Sequence, residues 1–354
     1  MKRSNKAWQG LGLTMLAGML LMAGCGNKEN TNGSGSPSAA SPSASPTGSV
    51  EEPAQALQEV TLVLDWTPNT NHTGLYAARD QGLWEKRGLK VEIIQPPETG
   101  SDAMVASDAA EFGVSAQEGM MLAREQGLPI VSVAAIIQHN TSGFASPVDK
   151  NIKEPKDFEG KTYGGWGSPA EQAVIQSMMN VQNADVGKVT FVNAGSADFF
   201  TAVKKDIDFE WIFYGWTGIE AELRKEPINM VYLSDYSKQL DYYTPLLTTS
   251  EKLIKDKPEL VRAFVEGAAE GYQYAIDNPD AAAELLLKAV PELNAELVKA
   301  SQKWLSPKYK DDAPRWGEQK KEVWSGYGEW MTKNGLLKKE LNYDDMFTTE
   351  FLPK

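Results

Sequence analysis

Leu64-Asp65-Trp66-Thr67-Pro68-Asn69-Thr70-Asn71-His72-Thr73-Gly74-Leu75-Tyr76 lies where a first strand should hand over to a first helix. Residues 60–64, Val-Thr-Leu-Val-Leu, are mostly apolar with three β-branched side chains, as suits a strand. Thr67-Pro68-Asn69 is turn chemistry, because Pro presets φ and Asn tolerates the left-handed region. Asn71 or Thr73 is placed to cap a helix running through Tyr76. In open α/β sheets, ligands bind beyond the carboxyl ends of the strands. Trp66, Asn69, Asn71 and His72 therefore stand where a ligand would sit. They offer an aromatic face, amides and an imidazole. An anion site would more naturally carry Gly-rich turns or Arg.

Working outward, strands and helices alternate. Strands are predicted at 60–64, 89–95, 112–115 and 130–138, with helices at 73–87, 101–107 and 118–126. That alternation predicts a mostly parallel sheet. A second unit begins near Val148, with strands at 161–164, 189–192, 209–214 and 229–233. Its helices are expected at 169–181, 197–204 and 217–224, the first with Ser168 as N-cap and Pro169 at the first helical position. Residues 242–248 look like a strand returning to the first unit. Helices follow at 258–278, 279–289, 294–304 and 314–334. Trp304, Trp316, Trp324, Tyr327 and Trp330 recur on these helices as packing stripes.

The amino terminus carries an address. Lys2, Arg3 and Lys6 precede a short apolar run, too short to span a bilayer. The run ends in Leu21-Met22-Ala23-Gly24-Cys25, which resembles the lipobox of bacterial lipoproteins. The resemblance implies a signal peptide over residues 1–24, cleavage before Cys25 and lipidation of its thiol. Residues 25–57 are rich in Gly, Ser, Pro and Ala and cannot bury enough surface to fold. As a flexible tether they would reach roughly 30 Å.

Cys25 is the only cysteine. Internal disulfides, thiolate metal sites and a Cys nucleophile are thereby excluded. The formal charge is −13, and loss of the leader removes three more cations. Nucleic-acid binding wants a basic footprint and is disfavoured. Two histidines make a poor transition-metal site, and neither a Walker loop nor a hydrolytic triad order is present.

Two α/β lobes, a double crossover and a helical carboxyl-terminal region resemble the plan of type II periplasmic binding proteins. The ligand cleft lies between such lobes and closes by hinge motion. The lobes are expected over 58–147 plus 241–354, and over 148–240. Three motifs make the resemblance specific. They are the 65–76 run, Gly164-Gly165-Trp166-Gly167-Ser168-Pro169-Ala170-Glu171, and Trp211-Ile212-Phe213-Tyr214-Gly215-Trp216-Thr217-Gly218-Ile219-Glu220. They resemble the pyrimidine-precursor family over roughly residues 58–350. That family joins fungal hydroxymethylpyrimidine phosphate synthases to bacterial binding lipoproteins of thiamin salvage. The latter branch, which binds formylaminopyrimidine, is the more similar. The resemblance implies capture of a thiamin-degradation pyrimidine outside the cell and delivery to an ABC permease and its ATPase. The fungal synthases carry a Cys-rich stretch that this chain lacks, so no enzymatic activity is expected.

An aminopyrimidine is flat and π-rich, with an amidine edge. Its faces suit aromatic stacking, and its edge suits a carboxylate. Trp66, Tyr214, Trp216 and Trp166 are candidates for the faces, Glu171 for the carboxylate, and Asn69 and His72 for polar contacts. Glu118 would cap its helix, and His139 ends a strand near the crossover and could line the cleft. Gly164, Gly165 and Gly167 could instead cradle an anion at a helix N-terminus. Taurine or another alkanesulfonate, nitrate and riboflavin remain alternative solutes. The expected protein is a monomer without cofactor or metal, lipid-anchored on the extracytoplasmic face of the cell membrane.

Overall fold

The structure, a computed structural model, describes residues 56–354 apart from Ser196. The leader, Cys25 and the linker up to Gln55 lie outside the described residues. Among the described residues, ten strands form two five-stranded sheets. The first contains β1 (Gln58–Val63), β2 (Leu89–Ile94), β3 (Phe112–Ser115), β4 (Ile130–Ala135) and β10 (Leu246–Ser250), in the order β2-β1-β3-β10-β4. The second contains β5 (Ser142–Pro147), β6 (Thr162–Gly165), β7 (Thr190–Asn193), β8 (Phe209–Phe213) and β9 (Ile228–Tyr232), in the order β7-β6-β8-β5-β9.

β1 is parallel to β2 and β3, and β6 is parallel to β7 and β8. Each sheet takes one antiparallel strand next to a crossing of the chain. β10 runs against β3 and β4, and β5 runs against β8 and β9. The crossovers are residues 136–141 and 233–245. β5 has no counterpart in the sequence reading and pairs in the second sheet ahead of the boundary expected at 147/148. Its Ser-Gly-Phe-Ala-Ser-Pro composition has little intrinsic strand preference, and pairing on both edges supplies what propensity does not.

Eleven α-helices complete the described fold: α1 (Thr73–Asp80), α2 (Ser101–Ala106), α3 (Gln117–Glu125), α4 (Pro169–Val181), α5 (Phe199–Ala202), α6 (Ile219–Arg224), α7 (Glu251–Asp256), α8 (Pro258–Asp277), α9 (Pro279–Ala289), α10 (Ala295–Leu305) and α11 (Lys321–Lys333). A five-residue π-type turn, Tyr214–Gly218, leads into α6. α1 stops well short of residue 87 because Gly82 adopts φ +64°, a conformation that favours glycine. α11 starts only at Lys321. Upstream, Gly317 at φ +87° bridges to Ala135 and holds that stretch extended.

α8 buries Leu260, Val261, Phe264, Val265, Ala268, Tyr272 and Ala275, the spacing of one helical face. Phe264 stacks on Phe112 of β3 at 3.6 Å and on Trp84 at 5.1 Å. α8 also lies against α1, where Gly271 approaches the carbonyl of Gly74 so closely that no Cβ fits. Trp316, Trp324, Tyr327 and Trp330 are buried, so the carboxyl-terminal aromatics form core. Among the described residues, no helix is long and apolar enough to cross a membrane.

Candidate functional site

The carboxyl ends of the parallel strands in the two sheets form two rims. On the first rim, Asp65 and Trp66 follow β1, Asp102 opens α2, Ser115 ends β3 and Glu118 lies in the first turn of α3. On the second, Trp166 follows β6 and Glu171 lies in the first turn of α4. Trp66 is 60% exposed and Trp166 is 51% exposed, and among the described residues no other tryptophan is exposed. Trp166 leans on Trp211 at 5.4 Å.

The carboxylates define the electrostatics. Burial pushes the Asp102 carboxyl up to about 6, against a bond from the Ser115 hydroxyl and with a further push from the charge of Asp65. Ser115 Oγ donates to Asp102 Oδ2 at 2.9 Å, while Asp102 Oδ1 is buried without a partner. Glu118 is also raised, by burial first, against a bond from Tyr327 and with a contribution from Glu171. Among the described residues, none of Asp65, Asp102, Glu118 and Glu171 pairs with lysine or arginine; Asp65 pairs only with His72.

His72 is fully buried. Its Nδ1 accepts the Asn69 N–H at 3.2 Å, which puts the ring proton on Nε2 for donation to Asp65 Oδ1 at 2.8 Å. His72 therefore positions Asp65 and has no ring nitrogen left for a ligand. Asn69 caps the turn Thr70–His72 that runs into α1, where Asn71 or Thr73 was expected as cap. Its Oδ1 accepts from Asn71 N–H and its amide donates to Thr67 O. Both ends of the Asn69 side chain are thus committed to the turn.

The chain matches the family described as NMT1/THI5 like over residues 69–282. The chain belongs to the NMT1/THI5-like family. It is 26% identical over 304 residues to the formylaminopyrimidine-binding protein of Halalkalibacterium halodurans, covering 83% of this chain and 91% of that one. It is equally 26% identical over 344 residues to the riboflavin-binding protein RibY of Chloroflexus aurantiacus, covering 90% and 93% of the two. The alkanesulfonate-binding protein SsuA from Xanthomonas axonopodis pv. citri shares the fold with a TM-score of 0.63 at 13% identity, covering 84% and 99%. The fold is the two-lobed one of periplasmic binding proteins.

In this NMT1/THI5-like chain, Glu171 does not present a free carboxylate. It is 2% exposed. Its Oε1 accepts from the Tyr163 hydroxyl at 2.6 Å and from Trp166 N–H at 3.0 Å, and its Oε2 from Ser168 N–H at 2.7 Å. Ser168-Pro169-Ala170-Glu171 closes a capping box, a spacing the sequence displays. The same bonds occupy two backbone donors, the Trp166 and Ser168 N–H groups, that an anion at this turn would use.

Tyr214 and Trp216 are half-buried in packing. Tyr214 lies between Tyr232 and Trp304 and donates its hydroxyl to Glu222. Trp216 packs on the cluster of Tyr76, Leu286, Val290 and Val298. Both pin the second sheet's turn onto carboxyl-terminal helices. Of the expected site residues, Trp66 and Trp166 remain free to meet a ligand. Asp65 and Asp102, which the sequence reading did not name as site residues, lie on the same rim as Trp66. Asp65 stood inside the first motif, but nothing local in the sequence brings Asp102 beside it.

Proposed function

We propose that this chain is a lipid-anchored, extracytoplasmic solute-binding protein of an ABC importer. Its cargo would be a thiamin-degradation aminopyrimidine, N-formyl-4-amino-5-aminomethyl-2-methylpyrimidine or a close relative. The observation that carries this reading is that Asp65 and Asp102, on one rim, have no lysine or arginine partner among the described residues, with exposed Trp66 next to Asp65 in the chain. An amidine edge donates hydrogen bonds and gains most from carboxylates, and charge-assisted bonds are the stronger kind. The indoles of Trp66 and Trp166 suit the faces of a flat ring. We assign the amidine contact to Asp102 and Asp65, with Glu171 bracing the Trp166 turn. Family membership and similarity to a formylaminopyrimidine-binding protein support the same ligand class.

An acidic cleft repels sulfonate and nitrate. Riboflavin is the second reading, favoured by the equal identity to RibY. The partners would be a permease and its ATPase. No catalytic role is proposed for any residue.

The test is a thermal-shift screen with formylaminopyrimidine, hydroxymethylpyrimidine, thiamin, riboflavin, taurine and nitrate. A cargo at about 100 times its dissociation constant adds about 2.7 kcal/mol of stability. A shift with an aminopyrimidine supports the reading. A shift with taurine or nitrate alone overturns it, and a shift with riboflavin alone transfers the chain to the second reading.

A further inference from the structure

The chain has two histidines. With His72 sealed in the interior, His139 is the one in reach of solvent. It belongs to the first crossover. Its Nδ1 lies 2.7 Å from Asp241 Oδ2, on the second crossover. Its Nε2 lies 3.3 Å from Asp312 Oδ1, on the segment that follows α10. Both ring nitrogens thus face carboxylate oxygens, which only accept. Neutral imidazole carries one N–H and satisfies one of them, whereas imidazolium satisfies both.

The two carboxylates are not held equally. Asp241 Oδ1 also accepts the Asn140 N–H at 2.8 Å. Asn140 in turn donates to Leu240 O at 3.1 Å and accepts from Ser142 N–H at 2.9 Å. The crossovers are therefore laced together at Asp241 whatever the state of the ring. Asp312 is the more exposed partner, with its side chain 65% accessible against 26% for Asp241. The Asp311 carboxylate also approaches, with Asp311, Asp312 and His139 offering ligand atoms all within 4.8 Å of one another. Lys308 lines the same pocket of about 300 Å³ with Tyr232 and Trp304, and its ammonium sits 4.2 Å over the Trp304 ring. Tyr232 ends β9, so the pocket straddles the joint between the sheets.

We propose that His139 is a proton-operated clamp on the interlobe joint. When protonated, it ties both crossovers to the segment carrying Asp312. When neutral, it keeps Asp241 and releases Asp312, which loosens the joint. This inference does not depend on the identity of the cargo.

Burial opposes the charge on His139, but the bonds and charges of Asp241 and then Asp312 outweigh it and hold the pKa above the ordinary 6.5. A raised folded-state pKa means that the stabilisation is fully present below the ordinary value. It is lost as pH rises through the higher folded value.

The test uses the full chain in EDTA. The imidazole C–H resonances of two histidines are followed by NMR against pH, with His139→Gln assigning the signals. Hydrogen exchange over residues 136–145 and 306–313, the two segments that the His139–Asp312 contact joins, is followed in parallel and corrected for intrinsic rates. The expected midpoint for His139 lies above 6.5. Protection of both segments should fall through that midpoint, by about tenfold for each unit of elevation. Asp312→Asn should lower the midpoint and shrink the loss of protection, and His139→Gln should abolish the pH dependence. If His139→Gln does not fold, Asp312→Asn decides alone. A midpoint unmoved by Asp312→Asn, or a pH dependence that survives in His139→Gln, overturns the proposal.

Discussion

Ser301 Oγ stands 2.6 Å from Thr70 Oγ1 and gives its own hydrogen to the carbonyl of Gly215, which makes Thr70 the donor in the first contact. Thr70 belongs to the motif after β1, and Gly215 to the motif after β8. One buried hydroxyl on α10 therefore joins a turn from each sheet. The Thr70 turn is held twice more, since the Tyr309 and Tyr272 hydroxyls donate to the carbonyls of Thr70 and Asn71 at 2.5 and 2.7 Å.

Replacing Ser301 by Ala strands a buried donor and a buried acceptor at once. Each group left unsatisfied costs about 1–3 kcal/mol. Urea denaturation of Ser301→Ala should show a loss of about 2–6 kcal/mol for the two groups together, with an unchanged slope. A midpoint equal to the parent's would mean that the bridge contributes nothing.

Glu171→Gln is expected to destabilise the protein without any ligand present. The amide NH₂ must face at least one of three groups that now donate to the carboxylate, namely the Tyr163 hydroxyl and the N–H groups of Trp166 and Ser168. The expected cost is about 1–3 kcal/mol, again from denaturation. A stability identical to the parent, together with weakened binding, would return Glu171 to the list of ligand contacts.

Asp102 predicts opposite changes in stability and binding. Its folded pKa of about 6 lies above its ordinary 3.8. A raised carboxyl destabilises the folded state above the folded value, less so between the two values, and not at all below the lower one. Asp102→Asn should therefore raise the urea midpoint at about pH 8 and raise it less at about pH 4.5. The same substitution should weaken aminopyrimidine binding in calorimetry. A variant that is more stable and binds as tightly as the parent would remove Asp102 from the site.

Trp66→Ala and Trp166→Ala should separate function from folding. Both side chains are largely in solvent, and substitutions at such positions usually stay within about 0.5 kcal/mol. Stacking on a flat ring is worth about 0.5–1.5 kcal/mol beyond the area buried. Each variant should keep its melting temperature and lose roughly tenfold in aminopyrimidine affinity. Parent-like affinity in both would place the ligand elsewhere.

The sequence by itself determined what depends on neighbours in the chain. The strand–helix alternation of both sheets, the Ser168-Pro169 helix start and the amphipathic face of α8 were legible because capping and periodicity act within a few residues. The Ser168 to Glu171 capping box is equally local, yet the sequence reading gave Glu171 to the ligand and left that spacing unused. Tertiary structure alone decided β5, whose residues become a strand only by pairing with β8 and β9. It also decided which polar and aromatic groups stay free. Tyr214 and Trp216 look available in the motif, but Trp304 and the α9–α10 cluster, remote in sequence, absorb them. Asp65 and Asp102 come from different strand-to-helix connections, and only the closing of the first sheet brings their charges together. A side chain's type is local information. Whether its hydrogen-bonding capacity and its surface are already spent depends on contacts that the chain makes only when folded.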